Sequence, residues 1–270
     1  MTFAICATCA VEHAERTAVC LICADERQWV PATGQAWTTL EEMARAGCAV
    51  HVEELEPGLH GVASTPAAGI GQQSKLLQTP AGNLLWDPIG YLDAAAVDAI
   101  RALGPVVAIA ASHPHMYGVQ VEWSRALGGV PIYVSAADAH WVARPDAAIR
   151  TWSGRATPLP GVALVQVGGH FPGSSVVHFT ARDGRGVLLT SDSLFVNPDR
   201  ASVSFMRSYP NRLALSPAVV ERIVTTLDTL AYDRIYHNFT DVIAADAKAV
   251  VRRSADRHAA WARGEHDDLT

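Results

Sequence analysis

The chain has 270 residues, of which 49% are apolar, and carries a formal net charge of −6. This length suits one large domain, or one domain with a small appendage, and allows a sizeable buried core. The mild acidity gives no support for a nucleic-acid surface, and no apolar run is long enough for a membrane helix. Because the N-terminus lacks a basic stretch followed by a long apolar one, we expect a cytoplasmic protein.

Four of the five cysteines lie near the N-terminus in two Cys-x2-Cys pairs, Cys6 with Cys9 and Cys20 with Cys23. Each pair can direct two thiolates at one ion, and two facing pairs complete a tetrahedral site. Zinc is the default structural ion, although iron fits the same sulfur geometry. We predict a four-cysteine metal-binding module over residues 1–32 and a main domain over residues 33–270.

The alternative for these cysteines is two disulfides, which the expected cytoplasmic location disfavours. The spacing resembles that of zinc ribbons and rubredoxin-type knuckles. A segment of about 30 residues cannot bury enough core to fold alone, so the ion would supply much of its folding free energy. The module could brace the main domain, cover an active site or mediate self-association into a homo-oligomer. His13, between the two pairs, is expected at the surface.

Beyond the module, apolar periodicity predicts strands alternating with helices. Thr38 and Glu41 form a capping-box pattern at the start of a short helix. Strands are predicted over 50–55, 58–65, 74–79, 83–87, 106–111, 130–134, 162–167, 175–180, 186–190 and 235–236. Helices are predicted over 93–103, 119–127, 136–142, 216–230 and 240–261. Strand pairs that alternate with helices in both halves favour an α+β fold with four layers, αββα.

Two histidines one residue apart, His113 and His115, follow the apolar strand 106–111. A strand that ends there brings two imidazoles to the edge of a sheet. His170 and Asp192 also follow predicted strands. Together these four residues form a plausible set of nitrogen and oxygen ligands for zinc or iron.

The order of these segments resembles the metallo-β-lactamase-fold hydrolase superfamily over roughly residues 50–245. That family carries His-x-His-x-Asp-His after a strand, then a Gly-His-x-x-Gly-Ser loop, an Asp after an apolar strand, and a late His. The matching residues here are His113, His115, His170, Asp192 and His237. The resemblance implies a four-layer αββα metallo-β-lactamase-like sandwich, with metal at the strand ends between the two sheets.

Asp87 resembles the family's structural carboxylate near the histidine loop. We expect it to hydrogen-bond the backbone of residues 113–118 or to orient an imidazole.

The chain departs from the family motif at Tyr117 and Gly118, which stand where the family has the Asp and the last His that bind a second ion. A glycine has no side chain to donate, and a phenol is a poor substitute for a carboxylate. We therefore predict one active-site ion, zinc or iron. Tyr117 could donate to a developing oxyanion or fill the volume of the missing ion. His237 could be an extra ligand, a proton-transfer group or a group behind the ligands.

The leading hypothesis is a metal-dependent hydrolase that acts on a small-molecule substrate. Metal-bound hydroxide would attack an ester, thioester, lactone or phosphodiester, with Asp192, Tyr117 and His237 as catalytic residues. The first alternative is a persulfide-dioxygenase-like oxidoreductase, whose single iron would be held by His113, His170 and Asp192. The second is a degenerate, non-catalytic metal-binding protein that uses its cysteine module for interaction.

Overall fold

The computed structural model describes residues 3–270, which form twenty strands and five α-helices. The strands are β1 (Ala4–Cys6), β2 (Glu12–His13), β3 (Trp37–Thr38), β4 (Ala49–Glu56), β5 (Leu59–Thr65), β6 (Ser74–Thr79), β7 (Gly82–Trp86), β8 (Val106–Ala110), β9 (Ile132–Ser135), β10 (Ile149–Trp152), β11 (Arg155–Leu159), β12 (Val162–Gln166), β13 (Ser175–Thr180), β14 (Gly186–Leu189), β15 (Phe195–Val196), β16 (Val203–Ser204), β17 (Met206–Ser208), β18 (Leu213–Ala214), β19 (Arg234–Tyr236) and β20 (Val242–Ile243). The helices are α1 (Leu40–Arg45), α2 (Ala94–Ala102), α3 (Gln120–Ala126), α4 (Pro217–Asp228) and α5 (Ala247–Ala262). No helix within the described residues is both long enough and apolar enough to cross a membrane.

Two large mixed sheets organise the main domain. The first has the order β10-β9-β8-β7-β6-β5-β4, and the second has the order β11-β12-β13-β14-β19-β20. Strands β7 to β10 run parallel to one another, as do β14 and β19, whereas the remaining neighbours in both sheets are antiparallel. The mixture of parallel and antiparallel pairs with few helices confirms the α+β class.

The side chains of each central strand alternate between two apolar layers. Along β7, Leu84 and Trp86 belong to the core between the sheets, whereas Leu85 packs with α2 and α3 on the outer face. The second sheet repeats the pattern, since Leu189 faces the inner core and Leu188 packs with α4 and α5. A strand with both faces buried must be apolar throughout, which explains its continuous apolar run. The four layers αββα are confirmed.

Two helix starts differ from the sequence prediction. Thr39, not Thr38, caps α1, because its hydroxyl accepts from the Glu42 amide at 3.1 Å. The final helix begins at Ala247 and not at Thr240. The intervening Val242–Ile243 pairs with β19 and extends the second sheet, and Asp246 then turns the chain with a φ of 54°.

The four-cysteine segment packs directly on the main domain. Its small sheet has the order β2-β1-β3 and therefore draws its third strand from Trp37–Thr38. Ala10 follows Cys9 and packs closely against two glycines. A Cβ added to Gly90 would lie 2.1 Å from the Ala10 Cβ, and a Cβ added to Gly69 would lie 2.5 Å from it. Only residues without a side chain permit this approach. The division at residue 32 stays a prediction.

His13 is buried, so the expectation that it lies at the surface is wrong. Its backbone belongs to β2, and its ring contacts the Trp37 ring at a centroid distance of 4.7 Å. Its Nε2 lies 3.3 Å from the Cys20 Sγ. The pairing of β2 with β1 is what turns this side chain inward, toward the thiols.

We predict that Gly90→Ala loosens the module from the main domain, because the new methyl group overlaps Ala10. The free energy of unfolding should fall by about 1–3 kcal/mol, the range for overpacking a tight interior. Chemical denaturation measures this change. Ala10→Gly is a partial rescue, since it removes the Cβ that the new methyl group would meet at 2.1 Å but leaves the Ala10 carbonyl oxygen at 2.7 Å. Failure of the double variant to recover any stability would contradict the proposed contact.

Candidate metal centre

The predicted site residues lie at the carboxyl ends of four strands. His113 and His115 follow β8, His170 follows β12, Asp192 follows β14 and His237 follows β19. Strands β12 and β14 are both antiparallel to β13 and so point the same way, and β14 runs parallel to β19. Their ends therefore meet at one edge of the second sheet, opposite the end of β8 in the first.

Four of these side chains converge on one point. Single donor atoms from His113, His115, His170 and Asp192 all lie within 4.8 Å of one another, and all four residues are buried. The Asp192 Oδ2 lies 3.5 Å from the His113 Nε2 and 3.6 Å from the His170 Nε2. The His170 Nε2 lies 3.2 Å from the His115 Nδ1.

These separations fit a tetrahedral cation. Metal–nitrogen bonds of about 2.0–2.1 Å at tetrahedral angles separate the ligand atoms by about 3.3 Å. The observed spacings of 3.2–3.6 Å bracket that value. The Nε2 atom of His113 has no hydrogen-bond partner, although it is buried. A buried nitrogen without a partner is costly, and a cation at the common point would satisfy it.

The orientation of His113 is set through Ser112. The Asp87 carboxylate accepts the Ser112 backbone N–H at 2.6 Å and the Ser112 hydroxyl at 2.9 Å. That hydroxyl oxygen lies 2.9 Å from the His113 Nδ1 and can accept its proton, which leaves the lone pair of Nε2 free for the site. Asp87 therefore orients the His113 imidazole, as expected, but it does so through Ser112 and not by direct contact. The Asn238 side-chain amide also donates to Asp87, at 2.6 Å.

His170 and Asp192 are held by strand β17 and the residue that follows it. The Met206 carbonyl oxygen lies 3.1 Å from the His170 Nδ1 and fixes the proton there, so that Nε2 faces the site with its lone pair. The Tyr209 hydroxyl contacts both the Asp192 and the Ser204 carbonyl oxygens, at 3.2 and 3.0 Å. One short segment thus positions two of the four donor residues.

Burial lowers the pKa of two of the imidazoles, those of His170 and His115. It lowers the pKa of His170 to about 3, and the neighbouring His113 lowers it further. Burial likewise lowers the pKa of His115 well below its ordinary value, followed by the effects of His170 and His113. Burial by itself would raise the pKa of Asp192, but the nearby imidazoles of His113, His170 and His237 bring it below its ordinary value. The set therefore offers three imidazole nitrogens and one carboxylate.

The four N-terminal cysteines form a second group of donors. All are buried free thiols, with the Cys6 Sγ 3.7 Å from that of Cys23 and the Cys9 Sγ 3.8 Å from that of Cys20. A disulfide would bring the sulfurs to about 2.05 Å. Tetrahedral metal–sulfur bonds of about 2.3 Å place them about 3.8 Å apart. The pKa of Cys9 is raised well above its ordinary value, chiefly by its hydrogen bond with Cys20, so a cation is needed to hold all four as thiolates.

Tyr117 and Gly118 leave no second set of ligands. The Tyr117 side chain is buried, and its hydroxyl donates to the Asp138 carbonyl oxygen at 3.1 Å. A Cβ on Gly118 would lie 2.1 Å from the Pro88 carbonyl oxygen, and the residue has a φ of +49°. The backbone of the neighbouring loop therefore fills the space that a histidine side chain would need.

His237 is buried beside this group but is not one of the four convergent residues. Neither ring nitrogen has a hydrogen-bond partner, and its ring contacts the Phe195 ring at 4.5 Å. Burial lowers its pKa to about 4, and Lys75 contributes in the same direction. At neutral pH it is therefore an uncharged imidazole with a free lone pair.

Sequence reasoning missed three polar groups around the site. Lys75 is completely buried, and its Nζ donates to the side-chain and backbone oxygens of Gln73 at 2.8 and 3.2 Å. Asn238 donates to Asp87, and the Arg27 Nε donates to the His170 carbonyl oxygen at 2.8 Å. Asn238 could have been noticed as the neighbour of His237. Nothing in the local sequence marks Lys75 or Arg27.

Comparison with known proteins shows which sequences and folds this chain resembles. Over 264 residues the chain is 42% identical to the uncharacterized protein YmaE of Bacillus subtilis (strain 168), with 96% of each chain covered. The chain belongs to the YmaE family and has the metallo-β-lactamase fold. No family model matches the sequence.

Several solved metallo-β-lactamases share the fold. The DIM-1 enzyme exposed to ceftazidime has a TM-score of 0.58 at 13% identity and covers 77% of this chain and 96% of its own. A B3 enzyme with an active-site glutamic acid has a TM-score of 0.55 at 15% identity, covering 84% and 96%. SMB-1 in complex with mercaptoacetic acid has a TM-score of 0.51 at 17% identity, covering 80% and 97%. The resemblance predicted from the sequence is confirmed at the level of the fold.

We predict that Gly118→Ala is far more destabilising than Gly154→Ala. Both glycines have a positive φ, +49° and +65°, but a Cβ on Gly154 meets nothing within 4 Å. The control should cost only the backbone strain of about 1–2 kcal/mol. Gly118→Ala adds the clash with Pro88 and should lose several kcal/mol more, or fail to fold. Equal losses in denaturant titrations of the two variants would show that this loop can move aside.

We predict that Lys75 makes stability rise with pH above neutrality. Burial lowers its pKa to about 7, so between pH 7 and 10 the unfolded chain binds a proton that the folded chain does not. The free energy of unfolding of the parent protein should therefore rise relative to that of Lys75→Met by up to about 1.4 kcal/mol per pH unit. Denaturation of both proteins at pH 7.5 and 9.5 tests this. A difference that stays constant would mean that Lys75 remains charged in the fold.

Proposed function

We propose that the protein is a metal-dependent hydrolase with a single active-site ion held by His113, His115, His170 and Asp192. The observation that carries the proposal is the convergence of four buried donor atoms, three of them imidazole nitrogens, at separations that suit a metal cation. At the level of the superfamily, the metallo-β-lactamase fold supports hydrolytic chemistry.

Zinc is the ion we favour, because a set of three imidazoles and one carboxylate matches its nitrogen and oxygen preference. With a water in a fifth position, which zinc accepts, an ion so held would lower the pKa of that water toward about 7 and would polarise a substrate oxygen. The four thiolates of Cys6, Cys9, Cys20 and Cys23 would hold a second, structural zinc.

The chain's own groups prepare the site for this chemistry. Ser112 and the Met206 carbonyl fix the rings of His113 and His170, so the donor atoms need not reorganise when an ion binds. The Phe171 ring lies 4.9–5.6 Å from all three imidazole rings and excludes water behind them. A dry wall strengthens every electrostatic interaction with the ion.

His237 is the group we assign to proton transfer. With a pKa of about 4 and no hydrogen-bond partner on either nitrogen, it can accept a proton at neutral pH. Asp192 would act as a ligand. Tyr117 is the weakest of the predicted catalytic residues, because its hydroxyl proton is engaged by the Asp138 carbonyl. The arrangement favours its alternative role of filling space.

His115 also separates the hydrolase from the iron oxygenase alternative. A facial site of two histidines and one carboxylate leaves three positions open. Here the His115 Nδ1 lies 3.2 Å from the His170 Nε2 and would take one of those positions. A third histidine leaves fewer positions for oxygen and a thiol, and so disfavours an oxygen-activating iron. The substrate class we propose is an ester, thioester, lactone or phosphodiester.

The test combines a metal count with a substrate panel. Elemental analysis of the untagged protein should give two ions per chain, and His170→Ala should retain one ion, at the cysteines. Hydrolysis of a panel of ester, thioester, lactone and phosphodiester substrates should fall at least about 100-fold in His170→Ala, since removal of one ligand exceeds the loss typical of an outer-shell group.

His51→Ala is the matched control, because His51 lies exposed on β4 and should keep both ions and full activity. A parent protein with an ion at the cysteines but none at the histidines, or with iron and thiol-dependent oxygen uptake, would overturn the hydrolase. Unchanged metal content in His170→Ala would support the degenerate, non-catalytic alternative.

A further inference from the structure

The four-cysteine segment leads directly into a turn that reaches the histidine site. After Cys23, the Asp25 carboxylate accepts the Arg27 backbone N–H at 2.9 Å and its guanidinium Nη1 at 2.7 Å. The Asp25 carbonyl accepts the Gln28 N–H at 3.0 Å, which closes the turn. The position of the Arg27 guanidinium is therefore fixed relative to the second cysteine pair by a few short bonds.

Arg27 contacts the loop that carries His170 in two ways. Its Nε donates to the His170 carbonyl oxygen at 2.8 Å, and its guanidinium carbon lies 4.1 Å from the centre of the Phe171 ring. The side chain is only 8% exposed, so both contacts are shielded from water. Phe171 in turn contacts the three imidazoles. Arg27 thus supports the backbone of one predicted ligand and the ring behind all three.

The same turn also holds the segment that orients the His170 ring. The Arg27 carbonyl accepts the Ser208 hydroxyl at 3.0 Å. The Asn211 side-chain amide donates to the Glu26 and Gln28 carbonyls at 2.8 and 3.1 Å. Met206, whose carbonyl meets the His170 Nδ1, lies two residues before Ser208. Both contacts that set His170 therefore depend on this turn.

A second link from the module reaches the other histidine loop. Glu12, between the two cysteine pairs, donates its backbone N–H to the Gly118 carbonyl at 2.9 Å. Its buried carboxylate accepts the Val121 N–H and pairs with Arg144. The loop that begins at His113 is therefore hydrogen-bonded to the module at its C-terminal end, at Gly118.

We propose that the four-cysteine centre sets the geometry of the histidine centre, with Arg27 as the positioning residue that connects them. A segment of about 30 residues depends on its ion to stay folded, so the ion also keeps Arg27 on the His170 carbonyl. This proposal rests on the proposed metal site. In this proposal the module braces the active site. Binding of an ion by the four thiolates would therefore increase the affinity of the imidazoles for metal.

The test measures metal affinity and ligand geometry without using activity. Protein with zinc at the cysteines is titrated with cobalt(II) against a chelator, and the visible spectrum reports the coordination of the histidine-bound cobalt. Arg27→Gln should weaken cobalt binding about 10–100-fold, as for other groups behind metal ligands. It should also change the spectrum while the cysteines keep their zinc. Arg27→Lys, which retains a cation near Phe171 but lacks the Nε donor, should show a smaller loss.

Arg207→Gln is the matched control. Arg207 pairs with Glu26 on the same turn and is 39% exposed, so it shares the location and charge of Arg27 without touching His170. This variant should bind cobalt as the parent does. A general loosening of the turn would affect both variants, whereas positioning through Arg27 affects only the first.

Removal of the thiolate-bound zinc with an organomercurial provides a second arm that needs no substitution. Cobalt affinity at the histidines should fall to a similar extent. Unchanged affinity and spectrum, either in Arg27→Gln or after mercurial treatment, would overturn the coupling and leave the hydrolase proposal intact. A parent protein that binds no ion at the histidines would instead remove both proposals.

Discussion

The structure depends on the meeting of three buried imidazoles and one carboxylate at the ends of strands from two facing sheets. Burial removes the positive charge that would otherwise drive the rings apart, and it leaves lone pairs directed at a common point. Lone pairs so close together are unfavourable unless something positive lies between them. The spacing, the fixed tautomers and the hydrogen bonds of Ser112 and Met206 all follow from this requirement.

Packing of the backbone determines what residues 117 and 118 can do. The loop after His115 lies against the Pro88 carbonyl at Gly118 and donates the Tyr117 hydroxyl to Asp138, so its shape serves packing. His237 and Lys75 are also buried, and burial lowers the pKa of each. The geometry therefore favours one ion and an uncharged imidazole beside it.

The N-terminal module contacts both loops that carry the predicted histidine ligands. Ala10 packs against Gly69 and Gly90, Glu12 binds the end of the first histidine loop, and Arg27 binds the second. A small appendage would contact one surface of its host, whereas this segment joins two loops that lie far apart in sequence. Its sulfur separations suit a tetrahedral metal ion.

Much of this protein was determined by local sequence. The cysteine spacing, the histidine pair after an apolar strand, the capping of α2 by Asp93 and the alternation of strands with helices each depend on neighbours a few residues away. The sequence did not reveal that His13 is buried, that residues 242–243 form an edge strand, or that Arg27 and Lys75 lie beside the site. The Arg27–His170 contact joins residues 143 positions apart, and the ring of His13 meets that of Trp37 in another strand. Only tertiary packing decides which of many polar side chains finds a buried partner.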